Sequence, residues 1–184
     1  MNKLITFSIV LILLCFACKT PEARRPISVK TGSFIDESIE RNKKLNQKEQ
    51  ALIQQLMSTQ QDSTEYIASE NGFWYYYNTK SLTDTVFKPN FGDIVNYSYN
   101  LKDLKGNLIY PENHFKNLDY AMDKEELFTG LREGLKLMKA GETVTFLFPS
   151  QKAYGYYGDE NKIGTNVPLI AEVTVNSITK SQNN

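Results

Sequence analysis

Apolar and polar residues alternate along three stretches of the second half of the chain. The apolar positions are Val95, Tyr97, Tyr99 and Leu101 in the first stretch, Val144, Phe146 and Phe148 in the second, and Leu169, Ala171, Val173 and Val175 in the third. This two-residue period places the apolar side chains on one face of a strand, as an antiparallel sheet with one solvated face requires. The aromatic run from Phe73 to Tyr77, which follows the turn signal Asn71-Gly72, predicts a further strand.

One segment between these strands has a helical period. Leu127, Leu131, Leu135 and Met138 recur every three or four residues, and Asp123 with Glu126 forms a candidate capping box at its start. Two glycines, Gly130 and Gly134, lie inside this segment, where each costs about 1 kcal/mol relative to alanine. Their presence predicts close packing of the helix onto the sheet. Strands around one amphipathic helix make an α+β domain.

A second helical pattern precedes the strands, within a predicted helical segment at 36–68. Its apolar positions are Leu45, Leu52, Ile53, Leu56 and Met57. Asn46 with Glu49 resembles a capping box, so a helix is predicted from there, with a frayed or separate helix before it. Two interpretations stay open: the helix docks on the downstream domain or pairs with another chain, or it is a lightly packed spacer. The domain itself is predicted at 69–184.

The first residues have the layout of a secretory signal. A basic tip at Lys3 precedes an apolar run from Leu4 to Ala17, which is shorter than the roughly 20 residues that span a bilayer. Cys18 follows a small residue, as at a lipoprotein cleavage site, so we predict a signal peptide at 1–17, lipidation of Cys18 and a tether at 18–35. The alternative is an uncleaved N-terminal anchor.

The amino-acid composition of the chain excludes several kinds of binding and catalysis. The chain has 21 basic and 21 acidic residues, a balance without the basic excess of nucleic-acid-binding proteins. The single histidine, His114, excludes a cluster of histidine metal ligands, and lipidation of Cys18 with loss of Cys15 would leave no free thiol. The sequence also has no phosphate-binding loop. We therefore predict no metal and no cofactor.

Several segments, taken in order, resemble the FKBP-type peptidyl-prolyl isomerase domain from about Gly72 to Ile178. They are Gly92-Asp93-Ile94-Val95-Asn96-Tyr97-Ser98-Tyr99, Lys105-Gly106-Asn107, Leu127-Phe128-Thr129-Gly130-Leu131-Arg132-Glu133-Gly134-Leu135-Lys136-Leu137-Met138, Gly141-Glu142 and Ala153-Tyr154-Gly155. The resemblance implies a curved antiparallel sheet wrapped around one helix that begins after Phe128. With its N-terminal helix, the whole chain resembles the FKBP-like lipoproteins associated with gliding motility in bacteria.

The same resemblance implies a pocket. Its catalytic residues would be Tyr154, Phe128 and Tyr99, with the Tyr154 hydroxyl and the Phe128 N–H donating to substrate carbonyls. Its substrate-binding residues would be Ile109, Tyr110, Leu118, Tyr120, Leu127, Leu131, Ile163 and Ala171. Two positions depart from the family pattern, because Tyr110 replaces a common aspartate and Ala171 replaces an aromatic ring that closes one wall.

Two functions are compatible with these features. The first is a prolyl isomerase, attached to the membrane by its lipid and facing the periplasm, that assists the folding of exported proteins. Its partners would be proline-containing polypeptides, motility or secretion proteins among them. The second is a catalytically weak binding or chaperone module of a motility or secretion complex. The retained Tyr99, Phe128 and Tyr154 favour the isomerase, whereas Tyr110 and Ala171 favour the binding module.

Overall fold

A computed structural model describes residues 31–60, 65–82 and 87–181. The chain divides into two compact units, residues 1–39 and 40–184. In the first unit, the described residues belong to the beginning of helix α1, where Phe34, Ile35 and Ile39 are exposed. The predicted signal peptide and Cys18 lie outside the described residues. Within the described ranges, no helix has the length and apolar character needed to cross a membrane.

Helix α1 runs without a break from Thr31 to Thr59. The predicted capping box at Asn46 and Glu49 is therefore wrong, since both residues lie in the helix interior. Glu49 is buried, and its carboxylate accepts hydrogen bonds from Ser150, far along the chain. One helical turn later, Ile53 is fully buried. The second half of α1, which belongs to the second unit, is therefore packed within that unit.

Seven strands form one antiparallel sheet. Their bounds are Ile67–Ala68 (β1), Trp74–Thr79 (β2), Ile94–Asp103 (β3), Leu108–Tyr110 (β4), Leu118–Ala121 (β5), Thr143–Phe148 (β6) and Leu169–Thr179 (β7). The order is β1-β2-β6-β7-β3-β4, and β5 pairs with the other end of β3. The short β1 precedes the predicted domain start at 69 and pairs with β2. The proposed division of the chain into segments stays a prediction.

The long central strands β3 and β7 carry the core. The alternation predicted for β3 is confirmed, because Val95, Tyr97, Tyr99 and Leu101 are all buried. On the opposite face of β3, Ser98 is buried too, and its hydroxyl accepts a hydrogen bond from the Asn117 N–H at 3.0 Å. Register shifts in the pairing of β3 and of β2 accompany the curvature of the sheet.

Helix α2, Thr129–Leu135, packs against this sheet, since Leu131 and Leu135 share one core with the strand residues. It begins directly after Phe128, as the family resemblance implied, and the capping box suggested at Asp123 and Glu126 is wrong. A Cβ atom added at Gly130 would lie 2.6 Å from a Phe148 ring carbon and 2.7 Å from the Lys152 carbonyl oxygen. This confirms the close packing predicted from the helix glycines. The predicted α+β class, with a curved antiparallel sheet around one helix and an N-terminal helix, is also confirmed.

Candidate active site

A cavity of about 570 Å³ opens where two segments of the second unit meet. Its lining residues are Glu125, Glu126, Leu127, Phe128, Arg132 and Tyr154. The first four belong to the connection from β5 into α2, Arg132 belongs to α2 itself, and Tyr154 belongs to the loop after β6. Of the predicted site residues, the cavity therefore brings together Leu127, Phe128 and Tyr154.

Phe128 is the residue at which the connection turns into α2. Its backbone is extended (φ −60°, ψ 140°), and its carbonyl accepts the amides of Leu131 and Arg132, each at 3.1 Å. Among the described residues, its own N–H donates to no backbone carbonyl. The phenyl ring packs edge-on against Phe148, with centroids 5.6 Å apart, and tilted against Tyr154 at 5.1 Å. The backbone donor therefore lies beside an aromatic wall.

Tyr154 is held by the turn that surrounds it. A short 3₁₀ helix, Ser150–Lys152, precedes it, and Gly155 follows with a positive φ of 60°. The Ser150 carbonyl accepts the amides of Ala153 at 3.0 Å and of Gly155 at 2.8 Å, one on each side of Tyr154. Burial, with the nearby charge of Asp159, raises the pKa of Tyr154 above its usual value. Since a tyrosine hydroxyl holds its proton near neutral pH, it can donate a hydrogen bond.

The other predicted residues near Tyr154 lie deeper. Tyr99 is 4% exposed, and its ring stacks on Phe115 with a centroid distance of 4.3 Å. Burial and the neighbouring Tyr154 raise the pKa of Tyr99. Leu131, Ile163 and Ala171 are likewise buried in the main core. These four residues belong to the core and do not line the cavity.

Tyr110 ends β4 and is buried against the same core. Its hydroxyl donates to an Asp159 carboxylate oxygen at 2.5 Å, its ring stacks on His114 at 4.8 Å, and the Lys162 ammonium lies 4.9 Å from the ring centroid. The phenol that replaces the family's common aspartate is therefore paired with a carboxylate from another loop. Sequence reasoning missed Asp159, since only the folded chain brings it to Tyr110.

The Asp159 carboxylate has further partners. It also accepts the amides of Ile163 at 2.7 Å and Asn161 at 3.0 Å. Burial opposes its ionisation, but these bonds and the one from Tyr110 outweigh that effect and lower its pKa. The hydrogen bond between Tyr110 and Asp159 is also the main cause of the raised pKa of Tyr110. A charged carboxylate thus fixes the loop that follows Tyr154.

Three remaining predicted residues have structural contacts. The Tyr120 hydroxyl donates to the Glu125 carbonyl at 3.2 Å and accepts the Asp123 amide at 3.3 Å, so it shapes the connection that lines the cavity. Leu118 pairs with Tyr97 across β5 and β3. Leu118 and Ile109 are half-buried against the main core.

Charged residues at the cavity were also missed by the sequence reasoning. Arg132 follows the predicted Leu131 by one position, and its Nε lies 3.6 Å from Glu133 and 3.8 Å from Asp123. Lys136 lies 3.1 Å from both of these carboxylates, which forms a four-residue charge network on one side of the cavity. Across the three described ranges, no group of His, Cys, Asp and Glu side chains is arranged to hold a metal ion.

Comparison with known proteins agrees with this arrangement. Residues 86–176 match the family of FKBP-type peptidyl-prolyl cis-trans isomerases. The matched range contains Phe128, Tyr154 and Asp159, and the sheet around one helix is the fold already described. This family and fold define a class of enzyme, the peptidyl-prolyl cis-trans isomerases. The substrates of this class are proline-containing polypeptides. The chain therefore carries a domain of the FKBP family.

A solved structure has the same fold. It is a peptidyl-prolyl cis-trans isomerase from Pseudomonas syringae pv. tomato, with a TM-score of 0.59 and 18% sequence identity. The similarity covers 75% of this chain and 96% of the other. No curated protein sequence matches the chain.

Proposed function

We propose that this protein is a lipid-anchored isomerase that turns X-Pro bonds of exported polypeptides at the periplasmic face of a membrane. The observation that carries the catalytic part is the cavity in which the Phe128 N–H and the Tyr154 hydroxyl flank one aromatic wall. Both groups are donors, and a peptide chain offers carbonyl oxygens to accept from them. The cavity thus suits an extended peptide rather than an ion or a nucleotide.

The chemistry requires no covalent bond to the enzyme. Isomerisation of an X-Pro bond is slow because rotating the amide costs about 18–20 kcal/mol in lost resonance. The twisted amide has a less polarised carbonyl than the planar one, so an apolar wall disfavours the planar form more strongly. Leu127 and Phe128 supply this wall, while the two donors hold the flanking peptide in place.

The catalytic proposal is tested by a protease-free isomerisation assay on X-Pro peptides with the full chain. We expect catalysis in the wild type and a lower catalytic efficiency in Tyr154→Phe. A wild type that binds the peptides but does not accelerate isomerisation would instead support the binding or chaperone module. That second candidate is favoured by one observation: charged side chains, Glu125, Glu126 and Arg132, line half of the cavity.

The membrane part of the proposal is supported by the sequence alone. The apolar run from Leu4 to Ala17 ends at Cys18, as in a lipoprotein signal. Two acyl signals together anchor a protein stably where one does not. Mass spectrometry of the mature N-terminus decides between a diacylated Cys18 and an intact Met1, and Cys18→Ala should prevent processing at this site.

The client proteins are proposed on resemblance. The N-terminal helix and the lipoprotein-like start of the chain resemble FKBP-like lipoproteins associated with gliding motility. Motility components rich in X-Pro bonds are therefore the first clients to examine. Crosslinking in cells, followed by identification of the captured proteins in the wild type and in Tyr154→Phe, tests this. Capture that is independent of the cavity would oppose it.

A further inference from the structure

A buried carboxylate of helix α1 lies next to the turn that carries Tyr154. Glu49 is 3% exposed, and Ser150 is 1% exposed. One Glu49 oxygen accepts the Ser150 amide at 2.8 Å, and the other accepts the Ser150 hydroxyl at 2.7 Å. Within the described part of the chain, no lysine or arginine forms an ion pair with Glu49. Both oxygens of the Glu49 carboxylate therefore accept hydrogen bonds from one residue, Ser150.

Ser150 connects Glu49 to the turn that holds Tyr154. Its amide and hydroxyl are held by Glu49, while its carbonyl accepts the amides of Ala153 and Gly155. Those two residues are the immediate neighbours of Tyr154. The Gly155 carbonyl in turn accepts the Asn166 amide at 2.8 Å, which closes the loop. A displacement of Ser150 would therefore move both backbone neighbours of the cavity tyrosine.

We infer that Glu49 is a positioning residue, which orients Tyr154 for the isomerase reaction by fixing Ser150. This inference rests on the proposed function. It assigns a role to α1 beyond that of a spacer, since the helix contributes one carboxylate to the support of a site that lies in another part of the sequence. Loss of that carboxylate leaves the Ser150 amide buried without an acceptor, which is unfavourable for the folded turn.

The experiment compares substitutions of Glu49 in the full chain. Glu49→Leu keeps a similar volume and removes both acceptors, and we expect about a tenfold loss in kcat/KM. Glu49→Gln retains one acceptor for the amide and offers an NH₂ to the serine oxygen, so its kcat/KM should stay within about threefold of the wild type. Glu40→Leu, the same change at an exposed carboxylate of α1, should leave kcat/KM unchanged.

A second readout reports the turn itself. Amide hydrogen exchange at Gly155, followed by NMR, should accelerate in Glu49→Leu and stay slow in Glu49→Gln, while the amides of β3 keep their protection. Ile53→Ala is the packing control, because it loosens α1 without removing the carboxylate. It should destabilise the protein and leave Gly155 protected. If Ile53→Ala and Glu49→Leu accelerate Gly155 equally, helix docking accounts for the effect and the inference is overturned.

The two proposals fail separately. A wild type without isomerase activity refutes the proposed function, while exchange at Gly155 still decides whether Glu49 fixes the turn. If Glu49→Leu does not fold, Ser150→Ala replaces it, because it removes only the hydroxyl bond and should give a smaller acceleration in the same direction. Unchanged kcat/KM and unchanged Gly155 exchange in folded Glu49→Leu would overturn the inference.

Discussion

Tyr154 and Tyr110 lie in neighbouring regions of the domain and have opposite surroundings. Tyr110 is 3% exposed, and its hydroxyl is bound to Asp159, which is itself bound to two backbone amides. Tyr154 is half-buried and lines the cavity together with Phe128, whose N–H donates to no backbone carbonyl among the described residues. The Tyr110 hydroxyl is matched to a carboxylate, whereas beside Tyr154, which has a hydrogen bond with Tyr99, the Phe128 N–H has no backbone acceptor in the described residues.

This difference shows which of two similar side chains is equipped for binding. A buried polar group without a partner costs free energy, so a fold retains unpaired donors only where another molecule can meet them. By this criterion, Tyr110 stabilises the loop of Asp159, and Tyr154 is the tyrosine equipped for the proposed substrate contact. Tyr110, which departs from the family pattern, therefore lies in the region that supports the site.

The largest expected effect comes from displacing the Tyr154 region as a whole. Gly130→Ala would bring a Cβ atom within 2.7 Å of the Lys152 carbonyl, two residues before Tyr154, and still closer to the Phe148 ring. We expect a loss of about 3 kcal/mol in the free energy of unfolding, at the upper end for overpacking. Urea unfolding measures this loss, and the isomerisation assay should show reduced activity in the folded fraction.

Gly164→Ala is the matched control in the Tyr110 region. A Cβ atom at Gly164 meets nothing within 4 Å, and this residue has no positive φ. We expect the free energy of unfolding to change by less than about 0.5 kcal/mol, as for surface substitutions. Equal losses at the two glycines would contradict the packing argument.

The second prediction separates the two tyrosines by removing one hydroxyl at a time. Tyr110→Phe breaks a bond to a charged carboxylate, which should lower the free energy of unfolding by about 1.5 kcal/mol and change kcat/KM less than twofold. Tyr154→Phe should lower kcat/KM by about 2- to 13-fold, the equivalent of one neutral hydrogen bond, with little change in stability. Chemical unfolding and kinetics on both variants give the comparison. The reverse pattern would exchange the roles assigned to them.

The smallest expected effect is the pH dependence of the Asp159 contribution. Since the folded pKa of Asp159 is lowered, its contribution is complete above the unfolded pKa of about 3.9 and is lost as pH falls through the folded value. The difference in unfolding free energy between the wild type and Asp159→Asn should stay constant from about pH 5 to 8. It should shrink below about pH 4. A difference that varies near neutrality would assign the effect to another group.

Local patterns in the sequence predicted the parts of the fold that depend on neighbouring residues. The alternation in β3 and the glycines of α2 were interpreted correctly because strand faces and helix packing follow from short-range periodicity. The start of α2 was correct only through the family resemblance, since Asp123 and Glu126 imitate a capping box. Phe128 and Tyr154 were likewise identified by resemblance, and the structure brings them to one cavity.

Long-range pairs could not be predicted in this way. Glu49 fits a capping box locally, but its partner Ser150 is 101 positions away. Tyr110 and Asp159 are 49 positions apart, and neither residue carries a local signal of the other. Arg132 is adjacent to a predicted residue, yet a helical charge is usually solvated, so its place at the cavity required the fold. These contacts depend on the sheet topology rather than on any short segment.

The position of β7 has a consequence for the order of events in biosynthesis. β7 is the last strand of the described residues but lies between β6 and β3 in the sheet, where Ile94 pairs with Thr179 and Asp103 pairs with Leu169. The sheet therefore cannot close before the chain up to Thr179 has left the ribosome, and these distant pairings are slow to form.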